Sequence, residues 1–315
     1  MADQLPLIIL AGSDRRQGSV PIGMHSDDML VGFKGLLPLP GGNVLVGELI
    51  DRYLRSGRFR DPVLVGPARV YDTAALQCEI VDCDGSIAET LQTAVQVIEN
   101  RCGAESPVAM TTCDVLPSVA DIRELLATGY DPVSECVFWG QFIEALPAQM
   151  GASSWKPCYS FTEPDAGARR NVYPGHLVIL RAAALNVDIT IALVRLAYLY
   201  RNRPLLRRLP GMLAHGLTML ARHDFDQWRR LRWSATACNV PWQCLRAYLL
   251  YRRGRLDVRE FERAFAKTFV RNPYRRAAMG RPARFVISRT LSFAKDLDTK
   301  AEFAEVVRTL SCDSD

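Results

Sequence analysis

The sequence predicts an α/β protein in which a doubly wound, mainly parallel sheet carries an inserted subdomain of basic helices. Short apolar runs alternate with segments of helical spacing, which is the pattern of strands joined by crossover helices. A long arginine-rich stretch then separates the last two predicted strands. We therefore expect one α/β domain, formed by residues 1–180 and 284–315, and a helical insertion at 181–283.

The predicted elements follow in order along the chain. Strands are expected at residues 5–10, 62–66, 107–112, 133–139, 176–180 and 284–288. Helices are expected at residues 44–56, 88–101, 118–127 and 299–310. Ligands of open α/β sheets bind beyond the carboxyl ends of the strands, so the residues that follow predicted strands are the first candidates for a site.

The turn after the first predicted strand is a candidate phosphate site. The strand ends in mostly small residues, namely Leu10, Ala11, Gly12 and Ser13. Such a turn leaves backbone N–H groups accessible to phosphate oxygens. Arg15, Arg16 and Lys34 add positive charge, and Lys34 is the only lysine in residues 1–155. The spacing is not that of a P-loop, and an ordinary turn remains the alternative.

Two aspartates next to other predicted elements are candidate metal ligands. Asp114 lies in the segment CDVLP directly after the strand at 107–112, and Asp298 lies in DLDT before the last predicted helix. Carboxylates at strand ends are suitable ligands for Mg²⁺, which completes its shell with water and phosphate oxygens. The alternatives are that Asp298 caps the last helix and that Asp114 forms a turn.

Four segments, in this order, resemble motifs of the GT-A-like, molybdenum-cofactor guanylyltransferase-like (MobA-like) nucleotidyltransferases. The family patterns are L-A-G-G, K-x-L-L-P-L-x-G-x-P-L-I, D-x-P and D-I-D-T-P-E-D-L. The matching segments are residues 10–13 (LAGS), 34–45 (KGLLPLPGGNVL), 113–117 (CDVLP) and 296–299 (DLDT). The resemblance covers residues 5–180 and 284–310 and implies the Rossmann-like GT-A fold.

The resemblance also implies a reaction. An NMP group would pass from a nucleoside triphosphate to a phosphorylated acceptor, small or lipid-linked, with release of pyrophosphate. Mg²⁺ would be the cofactor, held by Asp114 and Asp298. Lys34, with Arg15 or Arg16, would stabilise the developing charge. Residues 10–13 would bind the nucleotide together with Gly85 and Ser86, although Ser86 is equally suited to be an ordinary helix N-cap.

The sequence departs from the family at two positions and in one segment. Ser13 replaces the second glycine, Gln17 stands where an arginine is expected, and residues 19–33 form an insertion that we interpret as a mobile flap. Two alternatives therefore stay open. One is a GT-A glycosyltransferase using a nucleotide sugar, which the lack of a second acid near Asp114 disfavours. The other is a non-catalytic nucleotide-binding or membrane-recruiting protein.

The charge of the chain is unevenly distributed. Residues 181–289 contain 23 Lys and Arg against 6 Asp and Glu, a net charge of +17, and the rest of the chain has a net charge of −12. Three interpretations stay open: a solvated helical subdomain whose arginines pair with the acidic half, an interfacial surface for anionic membranes, and a pocket for an anionic acceptor or nucleic acid. Nucleic acid is the weakest, because no nucleic-acid-binding motif is present.

Other classes of protein are disfavoured. The four histidines form no H-x-x-x-H pair, and the patterns G-x-S-x-G and G-x-G-x-x-G are absent, which argues against zinc hydrolases, serine hydrolases and dinucleotide oxidoreductases. The nine cysteines include no C-x-x-C pair and are expected to be reduced. Without a signal peptide or a membrane-spanning run, we expect a cytoplasmic protein, with peripheral contact at the inner membrane face left open.

Overall fold

The structure, a computed structural model, describes residues 4–12, 25–132, 136–150, 158–163, 167–200, 205–278 and 280–312, the side chains of 205–209 and 312 excepted. The strands are β1 (Leu5–Leu10), β2 (Phe59–Gly66), β3 (Glu79–Asp82), β4 (Val108–Thr112), β5 (Phe138–Glu144), β6 (Tyr159–Thr162), β7 (Arg169–Pro174), β8 (Val178–Leu180) and β9 (Ala283–Ser288). The helices are α1 (Leu45–Arg55), α2 (Ala68–Tyr71), α3 (Ile87–Val97), α4 (Val119–Gly129), α5 (Val187–Tyr200), α6 (Leu205–Arg229), α7 (Thr236–Arg252), α8 (Val258–Phe269), α9 (Asn272–Ala277) and α10 (Lys300–Cys312).

The strands form a mixed sheet in the order β3-β2-β1-β4-β8-β5-β7-β6, and β9 pairs with β5. The strands β3, β2, β1 and β4 are mutually parallel, and β9 is parallel to β5. The strands β8 and β7 pair antiparallel with successive halves of β5, so β9 occupies the opposite edge of β5. The predicted doubly wound α/β fold is confirmed.

The first strand shows why the sheet is covered on both faces. Every residue of β1 is buried, and its side chains alternate between two hydrophobic clusters. Leu7 and Ile9 pack with α1 and α4, whereas Ile8 and Leu10 pack with α3 and α8. A continuous apolar run is the pattern expected for a parallel strand with helices on both faces.

Several strands differ from their predicted positions. The strand β5 is Phe138–Glu144 and not residues 133–139; the prediction ended at 139 because Gly140 and Gln141 interrupt the apolar run. Both residues nevertheless fit a central strand. A Cβ at Gly140 would lie 2.8 Å from the Phe285 ring, and Gln141 is buried. The strands β3, β6 and β7 were not predicted, since they are short or rich in polar residues.

The helices α5 to α9 connect β8 to β9 and form the segment predicted as an insertion. They contact the sheet domain at several places: α5 packs against α3, Leu250 of α7 packs against a buried cluster with Phe142 of β5, and Ala266 and Val270 on and after α8 share a buried cluster with Val108 of β4. The helix α6 packs against both α5 and α7. The exact domain boundaries stay a prediction.

No helix among the described residues is long and apolar enough to cross a membrane. The cysteines with described side chains, all but Cys312, are free thiols.

Candidate active site

The candidate site begins where β1 and β4, which are adjacent and parallel, end side by side. Leu10 is in register with Thr112, and the Cys113 amide donates to the Leu10 carbonyl at 3.1 Å. Gly12 and Asp114 therefore leave the same edge of the sheet. A Cβ at Gly12 would lie 3.5 Å from Thr90 Oγ1 on the first turn of α3, so this turn also borders the site.

Lys34 reaches the site from a short 3₁₀ turn, Lys34–Leu36. Its Nζ donates to Asp298 Oδ1 at 2.6 Å, and the two side chains are only 12% and 11% exposed. Burial lowers the pKa of Lys34, but the neighbouring carboxylates of Asp114 and Asp298 outweigh this effect, so the pKa lies above its usual value. The next residue, Gly35, has no side chain, which allows this turn to pack closely against Tyr71. A Cβ at Gly35 would lie 2.9 Å from Tyr71 Oη.

Asp298 is held at the site by its backbone neighbours. The Leu297 amide donates to the Asp114 carbonyl at 2.9 Å, which ties the segment before α10 to the end of β4. The capping alternative for Asp298 is wrong, because Thr299 and Glu302 form that cap: Glu302 Oε2 accepts from Thr299 Oγ1, and the Glu302 amide donates to Thr299 Oγ1. The Asp298 carboxylate is consequently left to face Lys34.

Part of the inserted segment at 19–33 is anchored against the same place. The Leu30 amide donates to the Asp298 carbonyl at 2.8 Å, and Met29 forms an antiparallel bridge with Thr299. The carboxyl half of the predicted flap is therefore fixed next to Asp298, while residues 19–24 lie outside the described residues.

A hydroxyl and an imidazole surround Asp114. Thr112 Oγ1 lies 2.6 Å from Asp114 Oδ1 and 2.7 Å from His176 Nδ1, and the carboxylate and the imidazole are 3.9 Å apart. Burial raises the pKa of Asp114, but His176, Lys34 and the bond from Thr112 outweigh this effect and hold the pKa below its usual range. Asp114 is therefore a stable carboxylate at neutral pH.

The remaining predicted site residues divide into two groups. Ser86 is the N-cap of α3 and forms a reciprocal capping box with Glu89. Gly85, the residue before Ser86, is closely packed against α3, and a Cβ there would lie 2.7 Å from Glu89 Cβ. Their contact with a nucleotide stays a prediction. Ser13, Arg15 and Arg16 lie outside the described residues.

The residues at the site fit a hard divalent cation. Asp298 Oδ2 is a buried carboxylate oxygen with no hydrogen-bond partner among the described residues, and the residue is only 8% exposed. No group of three or more His, Cys, Asp or Glu side chains in the described part of the chain is arranged to hold a metal. Two carboxylates without a full protein cage are the usual arrangement for Mg²⁺, which takes its other ligands from water and phosphates.

Sequence reasoning missed two polar residues of this region. Thr112 is the last residue of the predicted strand at 107–112, and a hydroxyl at that position is a usable signal of a functional site. Gln141 has no such signal, since it lies in the middle of β5. Neither polar atom of its buried amide has a partner among the described residues, and the side chain lies against Gly175, next to His176.

Comparisons with known proteins give similarity of fold. No protein-family model and no curated protein matches the chain. A structure described as a hypothetical transferase from Thermus thermophilus gives a TM-score of 0.49 at 19% identity, covering 95% of this chain and 99% of that one. CMP:2-keto-3-deoxy-manno-octonic acid synthetase complexed with CTP gives 0.47 at 13% identity, covering 99% and 100%. HddC from Yersinia pseudotuberculosis gives 0.37 at 12%, covering 57% and 78%. At these identities and TM-scores, the similarity says nothing about the reaction.

Proposed function

We propose that this protein is a Mg²⁺-dependent nucleotidyltransferase of the MobA-like type that transfers an NMP group from a nucleoside triphosphate to a phosphorylated acceptor. The observation that carries the proposal is the convergence of Lys34, Asp114 and Asp298 beyond the carboxyl ends of β1 and β4. Ligand sites of α/β sheets lie at this edge. One ammonium and two carboxylates suit a metal–triphosphate complex, and one carboxylate has an oxygen that no group in the described part of the chain pairs with.

Lys34 has the clearest role in this proposal. An ammonium group has three donors, and its contact with Asp298 uses one of them. Donors of the same group are then suited to bind oxygens of the triphosphate. Its raised pKa keeps Lys34 charged at every physiological pH, so it stabilises negative charge that develops on the leaving pyrophosphate.

Asp114 and Asp298 would hold Mg²⁺, and the bound ion would neutralise phosphate charge in the reacting group. The chain itself prepares both carboxylates for that role. Although burial raises the pKa of Asp114, His176, Lys34 and the bond from Thr112 lower it and keep Asp114 ionised, and Thr112 also links it to His176. Because Thr299 and Glu302 cap α10, the Asp298 carboxylate is not needed for that cap.

The reaction needs little covalent chemistry from the protein. An oxygen of the acceptor phosphate forms a bond to the α-phosphorus, the bond from that phosphorus to the bridging oxygen breaks, and pyrophosphate leaves with the electron pair. The acceptor is already ionised at neutral pH, so no general base is required. Positioning and charge neutralisation then supply the rate enhancement.

The test is a pyrophosphate-release assay with ATP, GTP, CTP and UTP, each with Mg²⁺ and a panel of sugar phosphates, other small phosphomonoesters and polyprenyl phosphate. We expect release that requires one triphosphate, one acceptor and Mg²⁺ together. Nucleotide sugars are included in the same experiment, with nucleoside diphosphate as the readout. Release of nucleoside diphosphate from a sugar donor would instead indicate the glycosyltransferase alternative.

Triphosphate binding is measured separately by calorimetry on the same preparation. Binding with no turnover on any acceptor class would favour the non-catalytic alternative, and absence of both binding and turnover would refute the proposal.

A further inference from the structure

The turn between α6 and α7 exposes large apolar side chains. We call residues 225–233 (FDQWRRLRW) the α6–α7 tip. Leu231 is 96% exposed and Trp233 is 87% exposed, and Phe225 and Trp228 are each at least half exposed. Soluble proteins rarely expose a contiguous apolar patch without a binding partner. The tip is therefore a candidate interaction surface.

The conformation of the tip is fixed by hydrogen bonds and by ring stacking. Asp224, which is buried, accepts hydrogen bonds from Ser234 Oγ and from the amides of Thr236 and Ala237. Trp228 Nε1 donates to the Ser234 carbonyl at 2.7 Å, and the Trp228 and Trp233 rings stack at 6.2 Å. These contacts fix the turn in a conformation that directs its apolar side chains to solvent.

Leu231 has a strained backbone at the most exposed point of the tip. Its φ is +56°, in the left-handed region that leucine rarely adopts. The Leu231 amide donates to the Trp228 carbonyl and the Arg232 amide to the Gln227 carbonyl, so the chain closes the end of α6 through this residue. Glycine or asparagine would serve such a helix end better. Packing does not explain a leucine here, because the side chain is 96% exposed.

Positive charge surrounds these apolar groups. Arg229, Arg230 and Arg232 are all exposed, and they lie in a segment, residues 181–289, with a net charge of +17. On α7, Trp242, Leu245 and Leu249 are also exposed and recur at the spacing of one helix face. The surface therefore combines tryptophan, leucine and arginine, as interfacial membrane-binding segments do.

We propose that the α6–α7 tip docks this protein on an anionic membrane, with Leu231 and Trp233 in the interfacial region and the arginines against lipid phosphates. A membrane is favoured over a protein partner for two reasons. Side chains as exposed as Leu231 and Trp233 project from the surface, and a soft interface accepts a projecting tip. The charge of +17 is complementary to anionic lipid, which attracts nearby Lys and Arg. Docking is independent of the nucleotidyl transfer proposed above.

The experiment is co-sedimentation of the full chain, without nucleotide, with vesicles of phosphatidylcholine alone or mixed with phosphatidylglycerol, at low and high salt. We expect binding to the anionic vesicles that weakens as salt rises, because salt screens the charge attraction. Leu231→Gly and Trp233→Ser should each lower the partition coefficient about tenfold or more. Leu146→Ser is the matched control, since Leu146 is 67% exposed in the sheet domain.

Stability and charge are measured on the same variants. Leu231→Gly should fold with an unchanged or raised melting temperature, since glycine suits the positive φ, so loss of vesicle binding cannot be attributed to unfolding. Arg230→Ser with Arg232→Ser should weaken binding more than Lys300→Ser with Arg308→Ser, which removes the same charge from exposed positions of α10.

Three outcomes would overturn the proposal. The first is no binding to anionic vesicles at low salt. The second is binding that Leu231→Gly and Trp233→Ser leave unchanged. The third is a dimer in size-exclusion chromatography that these two variants dissociate, without vesicle binding in the wild type, which would identify a second copy of the chain as the occupant.

Discussion

Lys34 and Asp298 form the ion pair around which the candidate site is organised. A buried pair of this kind is weak evidence for stability, since desolvation offsets most of the Coulombic gain. The arrangement is better explained by chemistry, because one oxygen of Asp298 has no partner among the described residues and Asp114 lies close enough to raise the pKa of Lys34 further. Charges of both signs are thus held in one partly desolvated place where they act strongly on a charged substrate.

The first prediction concerns the two carboxylates. Asp114→Asn and Asp298→Asn should each lower pyrophosphate release about 100-fold or more, as expected when a group that stabilises transition-state charge is removed. The free energy of unfolding of Asp114→Asn should change by only about 1 kcal/mol, since the substitution keeps the shape of the side chain. Asp298→Asn should lower it further, by about 3 kcal/mol, because Lys34 loses its buried partner. Asp72→Asn, at an exposed position, is the control. Full activity in either site variant would reduce that aspartate to a turn former.

The second prediction concerns pH. The pKa of Asp114 is lowered in the folded chain, so its contribution to stability is present above the unfolded pKa and is lost as the pH falls through the folded value. The difference in unfolding free energy between wild type and Asp114→Asn should shrink as the pH falls below about 4, where Asp114 becomes protonated. The pKa of Lys34 is raised, so its contribution persists until the solution is strongly basic. Urea unfolding from pH 3 to 8 measures the Asp114 contribution; a difference that stays the same as the pH falls from 5 to 3 would contradict the assignment.

At the scale of elements, helix starts were easier to predict from sequence than central strands. The helices at 44–56, 118–127 and 299–310 agree with α1, α4 and α10 to within two residues, because their apolar periodicity is regular. The strand β5 was misplaced because only tertiary contacts explain the missing side chain at Gly140 and the buried amide of Gln141. The cap of α10 likewise depends on a choice between Asp298 and Thr299 that local sequence leaves open.

The third prediction tests that cap. Thr299→Ala should lower the free energy of unfolding by about 1 kcal/mol, because the Glu302 amide loses its acceptor. Thr299→Ser keeps the hydroxyl and should restore most of the loss. Thr309→Ala removes an exposed threonine hydroxyl from the same helix and is the control. Equal stability of wild type and Thr299→Ala in urea unfolding would mean that another group caps the helix.

At the scale of the whole molecule, the sequence predicted which segments meet but not how they are held. Lys34 and Asp298 are 264 positions apart, and the order of four motifs was enough to predict a shared site. The bond of Leu30 to Asp298 and the Thr112–His176 contact were not predictable, because each depends on loops whose course only the packed sheet determines. Arginines of the basic segment, residues 181–289, form ion pairs of both kinds: Arg246 pairs with Glu260 inside the segment, whereas Arg289 pairs with Glu144 of β5.

The last prediction links the site to the stability of the whole chain. A ligand that binds only the folded state stabilises it by about 2.7 kcal/mol at a concentration 100 times its Kd, so the correct triphosphate with Mg²⁺ should raise the melting temperature, and EDTA should reduce the shift. Lys34→Ala should melt lower than wild type without ligand, because Asp298 loses its buried partner. Its additional shift with Mg²⁺ and triphosphate should nevertheless be small. Arg69→Ala removes an exposed arginine paired with Asp84 and should keep the full shift. Equal shifts in the two variants, each measured against its own ligand-free value, would show that Lys34 does not contact the triphosphate.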